Sequence, residues 1–275
     1  MSDVVVTERR GHVLMIGLNR PDKLNAVDVD VIRQLSAAYT ELATDRALRC
    51  GVLWAEGRYF TSGLDLGSLA RSLPAEVLST VLRPLPLPFE IVRGMIPKGN
   101  VDPWGVSTSP CPKPIVTAVH GRCFTLGIEL MLCAQVNVAG EEATFVQAEV
   151  SRGMFPFGGG TVRWPLAVGT HNAFRYLLTG DEFDAAEAMR IGLVQQVVPT
   201  DQCRPAAVEL AERIAAQAPL GVQAVMSSVR HSQEHGSAAA LGRIHRQLAR
   251  LLISKDVRRG FKAFEERRDA EFMGD

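Results

Sequence analysis

Short apolar runs recur along the first two-thirds of the chain, broken by glycine, proline and charge. Val4–Val6 and His12–Leu18 read as two strands around a turn at Arg9-Arg10-Gly11. From about Asp28 the period lengthens: Val31, Leu35, Ala38 and Leu42 recur at helical spacing, with Asp28 or Asp30 as cap. Cys50–Trp54 and Pro114–Val119 are runs of the kind a buried strand shows, and Val136–Val138, Thr144-Phe145 and Val194–Val198 are shorter ones. Helices are predicted from Leu64, from Leu126, from Gly158-Gly159-Gly160 through Trp164, over 173–178 and over 184–190. After Asp201 the pattern is helical, with two long amphipathic stretches before a charged tail. Strands and helices alternate to about residue 200, which predicts an α/β body. Pro84, Pro86, Pro88, Pro97, Pro103, Pro110 and Pro112 exclude one long helix over 68–112. Such a segment is either the wall of a binding site or a surface excursion.

The 275 residues carry 30 Lys+Arg against 30 Asp+Glu, so there is no electrostatic footprint for nucleic acid. With 47% hydrophobic residues the chain is too apolar for disorder, yet its apolar runs are too short for a membrane span. The length suits one large domain, or one with a smaller appendage. Cys50, Cys111, Cys123, Cys133 and Cys203 are scattered, with no C-x-x-C and no zinc spacing, which predicts reduced thiols and no metal. The N-terminus lacks the apolar core of a signal peptide, so a cytoplasmic protein is expected. Abundant Ala and Arg point to a bacterial source by composition alone.

Two carboxylates stand out. Glu129 lies in Leu126–Ala134, a helix apolar nearly all round and therefore buried. A carboxylate there needs a partner or a raised pKa, because burying an unpaired charge is costly. It is either a capping or ion-paired residue or a reactive one. Glu149 ends a strand-like run before a loop, where a solvated charge, or a pair with Arg152, is the plainer expectation. Two carboxylates can also flank one water and divide acid and base work. Gly63-Leu64 and Leu126-Gly127 are turn-to-helix junctions whose first N–H groups lack internal partners; two converging N–H groups make an oxyanion hole. The Gly158-Gly159-Gly160 run lacks the Lys-Ser/Thr of a phosphate loop and reads as a flexible helix entry. No G-x-S-x-G elbow and no H-E-x-x-H is present.

The run Arg20–Val27 (RPDKLNAV) resembles the first-loop signature of the crotonase, or enoyl-CoA hydratase/isomerase, superfamily. Phe60–Leu66 resembles its first oxyanion segment and Gly121–Leu130 its second. Phe145–Gly160, Leu178-Thr179-Gly180, Gly192-Leu193-Val194 and Gly260–Arg268 also fit, in the family's order over essentially the whole chain. The resemblance implies a spiral of ββα units over 1–200 with the acyl-CoA site, and a helical trimerisation region over 201–275. It implies an oxyanion hole from the backbone N–H groups of Leu64 and Leu126, holding a thioester carbonyl. It places the two hydratase glutamates at Glu129 and Glu149. Lys23, Leu24, Ala26, Ser62, Gly63, Asp65, Leu66 and Arg267 fall where the family contacts substrate or CoA, with Arg20 beside Lys23 as a phosphate contact.

The activity so implied is hydration of trans-2-enoyl-CoA in fatty acid β-oxidation. No cofactor is expected, since CoA is part of the substrate, and the partner is a second copy of the chain in a homo-trimer or dimer of trimers. An enoyl-CoA isomerase, another acyl-CoA lyase and a non-catalytic acyl-CoA binder are the alternatives. Thr125 and Leu126 stand where the family usually has glycine, and Ser62 and Leu64 are bulkier than its usual alanine.

Overall fold

A computed structural model of the chain describes residues 3–65, 67–68 and 95–275. Its first hairpin pairs β1 (Val5–Arg10) with β2 (Val13–Leu18) in antiparallel register. Here β1 runs past the turn expected at Arg9-Arg10. Pairing continues to Arg10↔Val13, and Gly11, at φ 55, makes the tight reversal. Pro21–Lys23 forms one 3-10 turn before α1 (Val29–Thr44), whose N-cap Asp28 accepts from the Val31 N–H at 3.0 Å.

From β2 onward the large sheet is parallel. Its order is β1-β2-β3-β4-β6-β9, with β3 Cys50–Ala55, β4 Ile115–Val119, β6 Val136–Gly140 and β9 Gln196–Val198. Every residue of β2, β3 and β4 is buried, as expected of strands covered on both faces. The period of two sorts their side chains. Leu14, Ile16, Leu18 and Leu53 pack towards α1, whereas Val13, Met15, Cys50, Val52 and Trp54 pack under α6 (Cys203–Ala215).

A second sheet, β5-β7-β8, is built from three short strands: β5 (Arg122–Phe124), β7 (Thr144–Val146) and β8 (Phe183–Asp184). Sequence reading finds β7 but neither β5 nor β8, which are too short for periodicity to register. The chain therefore steps from the large sheet to the small one and into a helix: β4, β5, then α2 (Leu126–Cys133); β6, β7, then α3 (Gly160–Val168). This is the ββα unit that the resemblance implies. The helix expected from Leu64 begins later, because Leu64 itself makes a parallel bridge with Val27. α3 continues past Trp164, through Pro165, to Val168.

Helices α4 (Thr170–Thr179) and α5 (Ala185–Ile191) flank β8, and α7 (Pro219–His235), α8 (Ser237–Leu252) and α9 (Lys255–Glu265) complete the described fold. α7 spans 17 residues and buries none of them, and α8 buries only Ala240. All five cysteines are free thiols. No helix among the described residues is long and apolar enough to cross a membrane.

Candidate active site

The first loop is organised by Asn25, which is buried at φ 52. Its amide donates to the carbonyls of Glu56 (2.7 Å) and Tyr59 (2.8 Å), and its Oδ1 accepts from the Arg20 N–H at 2.8 Å. The chain thereby folds over residues 61–65. There the Ser62 N–H donates to Leu24 O, the Val27 N–H to Gly63 O and the Asp65 N–H to Val27 O. Arg20 is not a free cation. Its guanidinium donates to Ala26 O and lies 3.1 Å from Asp28 and 3.6 Å from Asp65. Two carboxylates face it, so Arg20 is part of an internal ion cluster. Asp65 also accepts from the Ser68 N–H at 2.9 Å. Lys23 is exposed and has no ion-pair partner among the described residues, while Leu24 and Ala26 are partly buried. Arg267 is exposed at φ 53 just beyond α9, and no hydrogen bond or ion pair among the described residues joins it to this loop. Leu66 lies outside the described residues.

The two proposed oxyanion donors come from opposite sides of one packed junction. Gly63, at φ 87, lies so close to Thr125 that a methyl on it would stand 2.2 Å from the Thr125 hydroxyl. Leu64 and Leu126 follow these two residues, and neither N–H has a hydrogen-bond partner among the described residues. Leu126 opens α2, so its N–H is one of the helix's orphan donors. Thr125 has φ 47 and ψ −107. That is the first central position of a type II′ turn, a conformation glycine normally supplies and a β-branched residue rarely adopts.

Glu129, one turn into α2, is fully buried. The Gly160 N–H, the first of α3, donates to its Oε1 at 2.8 Å. The Gly158 N–H lies near enough to help hold negative charge but makes no full hydrogen bond, so Oε2 is buried without a partner. The glycine run is a cradle rather than a flexible entry. A methyl on Gly158 would stand 2.6 Å from Oε2, and one on Gly160 2.9 Å from Oε1. Among the described residues no basic side chain pairs with Glu129 directly. Burial pushes its pKa up to about 7, and the charge of Glu149 adds to the rise.

Glu149 is also buried rather than solvated, and Arg152 donates to Ala148 O instead of forming an ion pair with it. Gln147 holds it: the Gln147 amide donates to both carboxylate oxygens, at 2.9 and 3.0 Å. Desolvation raises the Glu149 pKa, and the Gln147 bonds and Arg152 charge oppose that. Gln147 was not singled out from sequence; a fully buried glutamine two residues before a carboxylate is recognisable only once its burial is known.

Of the proline-rich segment, residues 69–94 lie outside the described residues, and the turn at 102–107 packs against α2. Asp102, buried, accepts from the N–H groups of Trp104, Val106 and Ser107, forming a compact turn. The Trp104 indole donates to Leu126 O at 3.1 Å, and the Cys133 thiol to Trp104 O at 3.2 Å. The arrangement thus combines two buried carboxylates, Glu129 within reach of the Glu149 charge, with two N–H groups at one junction that have no partner among the described residues. It can hold a developing oxyanion and move protons next to it. Among the described residues no cluster of His, Cys, Asp and Glu could hold a metal.

Two sequence profiles of the enoyl-CoA hydratase/isomerase family match the chain, one over residues 95–275 and the other over residues 13–83. An enoyl-CoA hydratase of Mycobacterium tuberculosis is 31% identical, over 98% of this chain and 96% of its own. A 2,3-dehydroadipyl-CoA hydratase of Escherichia coli is also 31% identical, over 100% of both chains. The crystal structure of a probable enoyl-CoA hydratase/isomerase from Mycobacterium abscessus superposes with a TM-score of 0.89 at 43% identity, over 99% of each chain. With its ββα steps and this breadth of match, the chain belongs to the crotonase superfamily, the family of the enoyl-CoA hydratases and isomerases.

Proposed function

We propose that this protein hydrates trans-2-enoyl-CoA thioesters. The thioester carbonyl accepts from the Leu64 and Leu126 N–H groups. Glu129 takes a proton from water as the hydroxyl adds to Cβ, the electron pair moves to the carbonyl oxygen as an enolate, and Glu149 returns a proton to Cα. Water is thereby added whole, and the two carboxyl groups regain their starting states by proton exchange. One proton shared by the pair is what this requires. The reaction draws on the arrangement in which that proton stands on Glu149 and Glu129 is the free base. The observation that carries the reading is the buried, unpartnered Oε2 of Glu129 beside a second buried carboxylate. An isomerase needs only one proton carrier, whereas addition of water needs an acceptor that can hold the water.

The substrate brings its own CoA, so no cofactor is needed, and the reaction is that of fatty acid β-oxidation in a bacterial cytoplasm. The exposed Val225, Val229, Leu241, Ile244, Leu248, Phe261 and Phe264 of α7 to α9 are covered by copies of the chain in a homo-trimer or dimer of trimers. A stable monomer by sedimentation would remove that arrangement. The activity is tested by incubating the protein with trans-2-butenoyl-CoA and longer enoyl-CoA thioesters in deuterium oxide. Loss of the conjugated enoyl absorbance, with a 3-hydroxyacyl product, is expected. Deuterium uptake or double-bond migration without hydration would replace the reading by an isomerase, and binding alone by a carrier.

A further inference from the structure

Arg163, one turn into α3, bonds to neither carboxylate, yet it touches both segments that enclose Glu129. Its Nη1 donates to Gly158 O and its Nη2 to Gly105 O, each at 3.1 Å. Gly158 belongs to the cradle under Glu129; Gly105 belongs to the turn that carries Trp104. The two segments meet at the same place from opposite sides. A methyl on Gly158 would stand 2.6 Å from Glu129 Oε2 and 3.1 Å from the Trp104 ring. Between them Gly159 takes φ 95, and a methyl there would stand 1.9 Å from Arg163 Nη1, so the chain is shaped to admit the guanidinium.

We propose that Arg163 is a positioning residue for the reaction: its forked guanidinium clasps the Trp104 turn to the glycine cradle and so fixes where the Glu129 carboxylate stands. The inference deepens the hydratase reading and rests on it for its kinetic test only. A planar fork bonds two carbonyls in fixed directions; a lysine ammonium supplies the charge without that geometry. The charge has a separate effect. Among the described residues, Arg163 is the cationic side chain acting on Glu129, opposed by Glu149, with Asp102 and Cys133 the other ionisable groups beside it.

The test compares Arg163→Met and Arg163→Lys with the wild-type protein, after circular dichroism and sedimentation show the same fold and assembly. Hydration should lose about tenfold or more in kcat in both variants, because both lose the fork. The titration of Glu129, followed by carboxyl-13C NMR and assigned with Glu129→Gln, should move to higher pH in Arg163→Met and stay near the wild-type position in Arg163→Lys. A kcat within twofold of wild type in folded Arg163→Met would overturn the proposal, whatever the Glu129 signal does. So would activity lost only in proportion to lost folded protein. If Arg163→Met does not fold, Arg163→Lys decides: folded with wild-type kcat, it overturns the clasp. Should the wild-type protein hydrate no enoyl-CoA, the hydratase reading falls, and a crystal structure of Arg163→Lys decides the clasp: a Trp104 turn and Glu129 carboxylate standing where they do in the wild-type protein would overturn it.

Discussion

The Trp164 indole N–H donates to Gln147 Oε1 at 3.0 Å. An indole can only donate, so this one bond fixes which end of the Gln147 amide is oxygen and turns its Nε2 towards Glu149. Both carboxylates are thus held from α3: Glu129 by the helix's first N–H, Glu149 through Trp164 and Gln147. Gln147→Leu removes the donor and leaves the buried indole N–H unpaired. Hydration should fall about tenfold or more through misplacement of the proton donor, with kcat changing more than KM. The orphaned indole should cost about 1–3 kcal/mol of stability, read by denaturant unfolding.

Glu129→Gln should cut hydration by at least roughly 10²-fold, as removal of a general acid or base does. It should also stabilise the protein at high pH. Glu129 titrates near 7 in the folded state against its ordinary 4.5. The folded state therefore binds the proton more tightly, and the wild-type chain loses stability as pH rises from 4.5 to about 7. The neutral amide escapes that loss. Above pH 8 the variant should exceed wild type by about 3 kcal/mol, and the gap should close below about pH 4.5. Equal stability across that range would show that Glu129 titrates normally.

Thr125→Gly should raise stability. A β-branched residue at φ 47, ψ −107 carries backbone strain of about 1–3 kcal/mol, more than the roughly 0.5–1 kcal/mol of chain entropy that glycine costs. A Tm increase of about 2–4 °C is expected from calorimetry. A decrease would mean that the Thr125 side chain contributes more through its packing on Gly63 than its backbone loses.

Lys23→Ala should raise KM for acyl-CoA with little change in kcat, the signature of lost uniform binding. An exposed cation acts on phosphates through screened charge, so the effect should shrink as salt is added. An unchanged KM at low salt would remove Lys23 from the binding surface.

The large sheet was legible because its parallel strands are covered on both faces and so appear as unbroken apolar runs; Cys50–Ala55 and Ile115–Val119 are the clearest. The small sheet was not, because Arg122–Phe124 is three residues long, begins with an exposed arginine and takes its order from pairing with Thr144–Val146, far along the chain. Glu129 announced itself as a carboxylate in an apolar helix. Its surroundings did not: neither the Gly160 donor nor the Arg163 fork has a local sequence sign. Arg20 shows the opposite limit. Beside Lys23 it reads as a second phosphate ligand, and only the folded loop brings Asp28 and Asp65 onto it.

The glycine cradle has a consequence for mutational tolerance. Substitution is usually easiest where the chain is neither strand nor mid-helix. At residues 158–160 the order should be inverted, since the smallest possible side chain meets a carboxylate oxygen at 158 and 160 and a guanidinium at 159. In a scan of single replacements this stretch should behave like the centre of the core, and alanine, ordinarily the mildest change, should be as poorly accepted there as bulkier residues.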